Sequence, residues 1–176
     1  TMAVIGPMED NREDLLGTWH AAGNVSKVVT IKEGLQKRYP DATILTARGA
    51  GFTGNDRSGF PEAKQMAKAA DVVIMAVGEN YRQSGEAASR SMIGLPGAQK
   101  QLVQEIHATG KPIIGLVMAG RPLTIGWMDK HIPAILYAWH LGTRQGDAVA
   151  EVISGDYNPS AKLVVSFPRN VGQIPI

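Results

Sequence analysis

The sequence predicts an α/β fold: a three-layer α/β/α sandwich around a mostly parallel, flavodoxin-like sheet of about six strands. Three observations predict it. Short apolar runs alternate with amphipathic segments along the chain, the order that builds parallel strands joined by crossover helices. One run, Asp71-Val72-Val73-Ile74-Met75-Ala76-Val77, is apolar at every position after its aspartate, as a strand covered on both faces must be. Glycine and proline punctuate the junctions, at Gly6-Pro7, Gly59 with Pro61, Pro96 and Gly110.

Residues 2–5 read as the first strand, closed by Gly6-Pro7. A helix follows Thr30, with Glu33 at the spacing of a capping box. Ile31, Leu35 and Tyr39 mark its inner face, and Pro40 stops it. Residues 43–47 form the second strand, and 49–59 a glycine-rich loop. Pro61 suits the first turn of a helix reaching about residue 70, with Met66 and Ala70 inward. The 71–77 strand follows. Pro96 opens a helix that buries Leu102, Val103 and Ile106 and stops at Gly110. Residues 113–118 and 134–139 are the fourth and fifth strands, with a less regular helical piece over 123–128 between them. A last helix covers 147–154, turning Val149, Val152 and Ile153 inward, and 162–167 reads as a sixth strand ended by Pro168. With 176 residues and no internal repeat, one domain over 1–176 is expected.

Composition excludes several classes. The chain is 44% hydrophobic and 19% charged, the balance of an ordinary globular protein. Its 18 basic and 16 acidic side chains are interspersed, so neither nucleic acid nor an anionic membrane is implied as partner. Cysteine is absent, which removes disulfides and thiolate sites. His20, His107, His131 and His140 lie far apart without metal-ligand spacing, so no metal and no cofactor is expected. No apolar run reaches the length of a membrane span, and the N-terminus lacks a basic-then-apolar signal segment. The chain starts instead inside a core strand, which suggests a domain of a longer polypeptide.

The chemistry concentrates after the 71–77 strand. Glu79, Arg82, Glu86 and Arg90 fall on the loop at its carboxyl end, where open α/β sheets hold their ligands. A glutamate there, desolvated by a neighbouring surface, is suited to donate a proton. Glu79 reads as a buried, hydrogen-bonded anchor of that loop. His140 ends the fifth strand and could face the same crevice, or simply pack there. Gly49-Ala50-Gly51-Phe52-Thr53-Gly54 has the spacing of a dinucleotide loop, but it follows the second strand and its helix waits until Pro61. A connection without a phosphate role is the better reading. Trp19, Trp127 and Trp139 could each stack on a sugar; Trp139 suits the core, and Trp19 is the freest to face a ligand or another domain.

Several landmarks fall in one order: Val4-Ile5-Gly6-Pro7, Asp14-Leu15-Leu16-Gly17-Thr18-Trp19, the strand ending Val77-Gly78-Glu79, and Ser84-Gly85-Glu86 with Arg90. Leu95-Pro96-Gly97-Ala98-Gln99, Gly110-Lys111-Pro112, Gly120-Arg121-Pro122-Leu123, Gly155-Asp156-Tyr157-Asn158-Pro159-Ser160 and Ser166-Phe167-Pro168-Arg169 continue the series. Together they resemble, over essentially the whole chain, the second, α/β-sandwich domain of glycoside hydrolase family 3, the β-glucosidase type. The resemblance implies a retaining glycosidase acting on a β-glucoside. Its aspartate nucleophile would come from a separate (β/α)₈ barrel domain, and its glutamate acid/base from this one, at Glu86. A retaining pair needs its carboxyl groups roughly 5–5.5 Å apart across the scissile bond. Gln83 and Ser84 could touch the sugar or leaving group. Arg90 could position Glu86, or it could pair with Glu79.

The barrel is missing from these residues, so the chain by itself is expected to be inactive. The face that a barrel would cover should leave apolar groups open, with Trp19, Tyr81 and Phe52 as candidates and self-association as the consequence. By family resemblance the parent enzyme would be periplasmic or secreted. The alternatives are a non-catalytic sugar- or partner-binding flavodoxin-like module, an engineered scaffold, or a nucleotide-binding domain using the 49–54 loop.

Overall fold

The structure, a computed structural model, describes residues 1–173. Five strands, β1 (Met2–Ile5), β2 (Ile44–Ala47), β3 (Val72–Gly78), β4 (Ile113–Met118) and β5 (Ala134–Tyr137), form one sheet in the order β2-β1-β3-β4-β5. Every pairing is parallel. β3 lies at the centre, its Met75 opposite Ile5 on one side and Gly115 on the other. That position explains its unbroken apolar run. Val73, Met75 and Val77 enter the core on one face, and Ile74 and Ala76 the core on the other.

Among the described residues, five α-helices complete the layers: α1 (Ile31–Arg38), α2 (Phe60–Ala69), α3 (Gln99–His107), α4 (Gly126–His131) and α5 (Gln145–Ser154). Leu35 of α1 and Val149 of α5 join one core, while Ala63, Leu102 and Met128 bring α2, α3 and α4 to the other. Full burial of a leucine or isoleucine contributes about 1.5–3 kcal/mol, and both faces of the sheet carry several. The α1 start follows its sequence signal. Thr30 Oγ1 accepts from the Glu33 N–H at 3.2 Å, and Glu33 Oε2 accepts from the Thr30 N–H at 3.0 Å. α1 and α5 approach so closely that a Cβ on Gly34 would lie 2.0 Å from the Gly146 carbonyl oxygen.

The expected sixth strand does not form. Residues 162–167 have a strand's composition, yet Leu163, Val164 and Val165 are 66%, 82% and 48% exposed and the sheet ends at β5. Strand preference reflects packing on a half-buried pleated surface, and no such surface covers this run among the described residues. Phe167 packs edge-on against Tyr137, the last residue of β5, at 4.8 Å between ring centroids. The irregular piece expected over 123–128 forms its helix slightly later, as α4, because Leu123 is drawn into the core instead.

This strand order puts a switch point between β1 and β3. The chain leaves β1 toward α1 on one face of the sheet and leaves β3 toward α3 on the other, so their loops part there and open a crevice.

Candidate active site

Gly78 ends β3 at φ 145°, where an added Cβ would lie 1.7 Å from the Met118 carbonyl oxygen, so only glycine fits. Fully buried Gln99 reaches over from α3. Its Oε1 accepts the Gly78 N–H at 2.8 Å, and its Nε2 donates to the Gly78 carbonyl at 2.9 Å. An amide side chain thus takes the place of a neighbouring strand and sets where the loop departs.

The next residue, Glu79, is fully buried. A buried carboxylate must be paired, and here Arg90 Nη1 and Arg121 Nε both pair with it, the latter at 3.0 Å. One further nitrogen of each guanidinium holds loop carbonyls: Arg90 Nη2 that of Gly94 at 3.2 Å, and Arg121 Nη2 those of Ala88 at 2.7 Å and Gln83. Glu79 is therefore a loop anchor, and Arg90 pairs with it. From the other side, buried Asp14 accepts the Tyr81 N–H at 2.9 Å. The Thr18 hydroxyl is shared between the Ser84 carbonyl, at 2.6 Å, and that of Tyr81. Gln83 spends its amide within the loop and on its neighbour, accepting from the Asn80 N–H at 3.0 Å and donating to the Phe52 carbonyl at 2.9 Å.

Glu86 occupies the exposed tip of this clamped loop. It sits between Gly85 at φ 103° and Ala87 at φ 58°. A left-handed alanine costs roughly 1–2 kcal/mol, so the turn persists because its shoulders are held. Among the described residues, the Glu86 carboxylate enters no ion pair.

Beside the loop lies a cleft of about 310 Å³. Its walls come from the segments after four strands: Gly17, Thr18 and Trp19 after β1, Ser84 and Gly85 after β3, Gly120 after β4 and His140 after β5. Ser84 is buried in the wall, its Oγ 2.2 Å from where a Cβ on Gly120 would stand. Both ring nitrogens of His140 are buried; the Asp14 backbone approaches the ring without completing a hydrogen bond. Burial holds this imidazole below its ordinary value of 6.5, with Asp14 opposing the shift. Of the residues singled out in the sequence, the fold brings Ser84 and His140 to one crevice and Glu86 to the loop above Ser84, while Gln83 and Arg90 point into loop-supporting bonds.

Trp19 (74% exposed), Met92 (69%) and Leu141 (51%) stand open on the loops after β1, β3 and β5. Trp19 was anticipated for a covered face. Phe52 is half-buried against the α1/α5 core, and the half-buried Tyr81 accepts a hydrogen bond from Arg82 Nε at 2.9 Å. Met92 and Leu141 carry no signal in the sequence that separates them from core residues. Sequence reasoning also missed the roles of Asp14, Thr18, Gln99 and Arg121, whose partners are distant in the chain.

The 49–54 loop supports this site. Its Gly51 and Phe52 carbonyls accept from Gln99 and Gln83, and α2 begins only at Phe60. A larger hollow of about 660 Å³ lies along the flank of α2 and α3, lined by Arg57, Lys64, Lys68 and Glu105, away from the strand ends. Among the described residues there is no cluster of three metal-ligating side chains, and no helix is long and apolar enough to cross a membrane.

The family model for the Glycosyl hydrolase family 3 C-terminal domain matches residues 1–176. The chain belongs to this family. It is 42% identical over 198 residues to the periplasmic beta-glucosidase of Salmonella typhimurium, covering 100% of this chain and 26% of that protein. It is also 42% identical over 181 residues to a beta-xylosidase of Formosa agariphila, covering 100% of this chain and 25% of that protein. The solved structure of a beta-glucosidase from Listeria innocua in complex with isofagomine matches with a TM-score of 0.93 at 33% identity, over 100% of this chain and 24% of that one. This family 3 domain thus spans about a quarter of the length of these relatives, whose enzymes contain a further domain.

Proposed function

We propose that this domain supplies Glu86 as the acid/base of a retaining β-glycosidase whose nucleophile, an aspartate, lies on a companion (β/α)₈ barrel. One observation carries the reading: an exposed carboxyl at the tip of a loop clamped from several sides, at the carboxyl end of the sheet beside the switch-point cleft. In the first step the nucleophile bonds to the anomeric carbon as the glycosidic C–O bond breaks, and Glu86 gives its proton to the departing oxygen. In the second, Glu86 takes a proton from water as the water oxygen displaces the nucleophile, which returns Glu86 to its acid form.

The companion domain has a further role. Closing over the strand ends, it would cover Trp19, Met92 and Leu141 and exclude bulk water from the reacting groups. Ser84, in the cleft wall, would touch the sugar or leaving group, and Gln83 and Arg90 keep the loop in shape beneath it. The substrate is a terminal β-D-glucosyl residue, supported by the names of the Salmonella and Listeria relatives; the Formosa relative makes a xyloside the second choice. The Salmonella relative also supports a periplasmic or secreted whole protein. The chain alone is expected to hydrolyse aryl β-glucosides negligibly and to self-associate through its uncovered face, which sedimentation velocity would measure.

The test is Glu86→Gln in the full-length polypeptide. Hydrolysis of phenyl β-glucoside should collapse while 2,4-dinitrophenyl β-glucoside still forms the glycosyl-enzyme, and azide should restore turnover of the latter. Undiminished hydrolysis of an unactivated disaccharide by this variant would sink the assignment.

A further inference from the structure

We propose that Arg121 is a positioning residue for Glu86: a single guanidinium that holds both shoulders of the acid/base loop. The inference rests on the reading of Glu86 given above. The two N–H bonds of Arg121 Nη2 go to the carbonyls of Gln83 and Ala88, the second at 2.7 Å. Those carbonyls bracket residues 84–87, so one nitrogen ties the base of the loop while Glu86 rides at its tip. Arg121 Nε meanwhile donates to the buried Glu79 carboxylate, at 3.2 Å from Oε2 and 3.0 Å from Oε1, which fixes the plane of the guanidinium. A planar fork with rigid donor directions can meet three acceptors at once; a lysine ammonium cannot reproduce that geometry.

The arginine is itself held in place. The Tyr137 hydroxyl, reaching from β5, donates to the Arg121 carbonyl and accepts the Leu123 N–H at 3.2 Å. Burial pushes this phenol far above its ordinary range, so the proton stays on to be donated. Arg121 does not line the cleft, and its reach toward the chemistry is through the loop alone. The tie matters because Gly85 and Ala87 both sit at positive φ, so a loop released at its shoulders would relax and move the carboxyl. A displacement of about 1 Å in a reacting group costs on the order of 100-fold in rate.

The decisive experiment uses the full-length polypeptide and Arg121→Lys, which keeps a positive charge beside Glu79 and removes the two-carbonyl tie. Turnover of phenyl β-glucoside should fall on the order of 100-fold with KM little changed, while 2,4-dinitrophenyl β-glucoside, whose leaving group departs without a proton, should be far less affected. The double variant with Glu86→Gln should be no slower than Glu86→Gln alone, because Arg121 acts through Glu86. Equal losses on the two substrates, or additive losses in the double variant, overturn the proposal. If thermal melting shows Arg121→Lys to be unfolded, Tyr137→Phe tests the same link, and it must give the same dependence on leaving group. If Glu86→Gln shows that dependence and neither loop variant does, the tie alone is refuted. If Glu86→Gln is fully active on phenyl β-glucoside, the reading of Glu86 fails and the tie loses its object.

Discussion

Arg121 Nε lies 3.0 Å from the carboxylate of Glu79, a residue with no exposed surface. The pair joins the end of β3 to the segment after β4, and Arg90 completes it from the far side of the Glu86 loop. Removing the glutamate would leave two largely buried guanidinium groups without their counter-charge. Glu79→Leu should therefore destabilise the domain by about 3–5 kcal/mol, the cost of breaking a buried pair from one side. Urea unfolding should show the midpoint lowered with the slope unchanged.

Gly78→Ala should be more damaging than its size suggests. The new methyl group would meet the Met118 carbonyl oxygen at 1.7 Å, and φ 145° is closed to alanine. Its cost should exceed the roughly 1–3 kcal/mol of a strained backbone alone, since β3 and β4 must part where Gly78 pairs with Met118. Yield of folded protein and thermal melting would measure it.

At Ala87 two effects nearly cancel in stability. Ala87→Gly relieves a left-handed φ of 58° that costs an alanine roughly 1–2 kcal/mol, while glycine's extra freedom in the unfolded chain gives back about 0.5–1 kcal/mol. Stability should rise slightly, by no more than about 1.5 kcal/mol. The Glu86 loop should loosen, so the full-length enzyme should lose turnover on poor leaving groups despite an unchanged or higher melting temperature.

His140 should make stability depend on pH. Because burial lowers its folded-state value below 6.5, the unfolded chain binds a proton more readily than the folded one. Its penalty is absent above the ordinary imidazole value. It grows as pH falls below 6.5, and it levels off once pH passes the lowered folded value. His140→Asn should flatten the fall in urea midpoint between about pH 7.5 and about pH 5. A slope identical to that of the unmodified chain would show that other groups govern it.

Much of this was legible along the chain because the signals were local. Thr30 and Glu33 announce the start of α1 through bonds between residues three apart, and the apolar run before Gly78 identifies a strand covered on both faces. The same local reading misled at 162–167, where Leu163, Val164 and Val165 have a strand's composition but no neighbour to pair with. The position of the Glu86 loop was legible from its place after the central strand and from the Ser84-Gly85-Glu86 landmark, but its supports were not. Arg121 lies 42 residues from Glu79, and Thr18 lies 66 from Ser84.

The sequence by itself determined the α/β class, the central strand, the family and the loop that carries the candidate acid/base, because each depends on residue order over short spans. Only the tertiary structure decided what holds that loop. Burying Glu79 demands counter-charges, and guanidinium donors left over after pairing reach loop carbonyls. Which carbonyls they reach depends on how β3, β4 and β5 stack side by side.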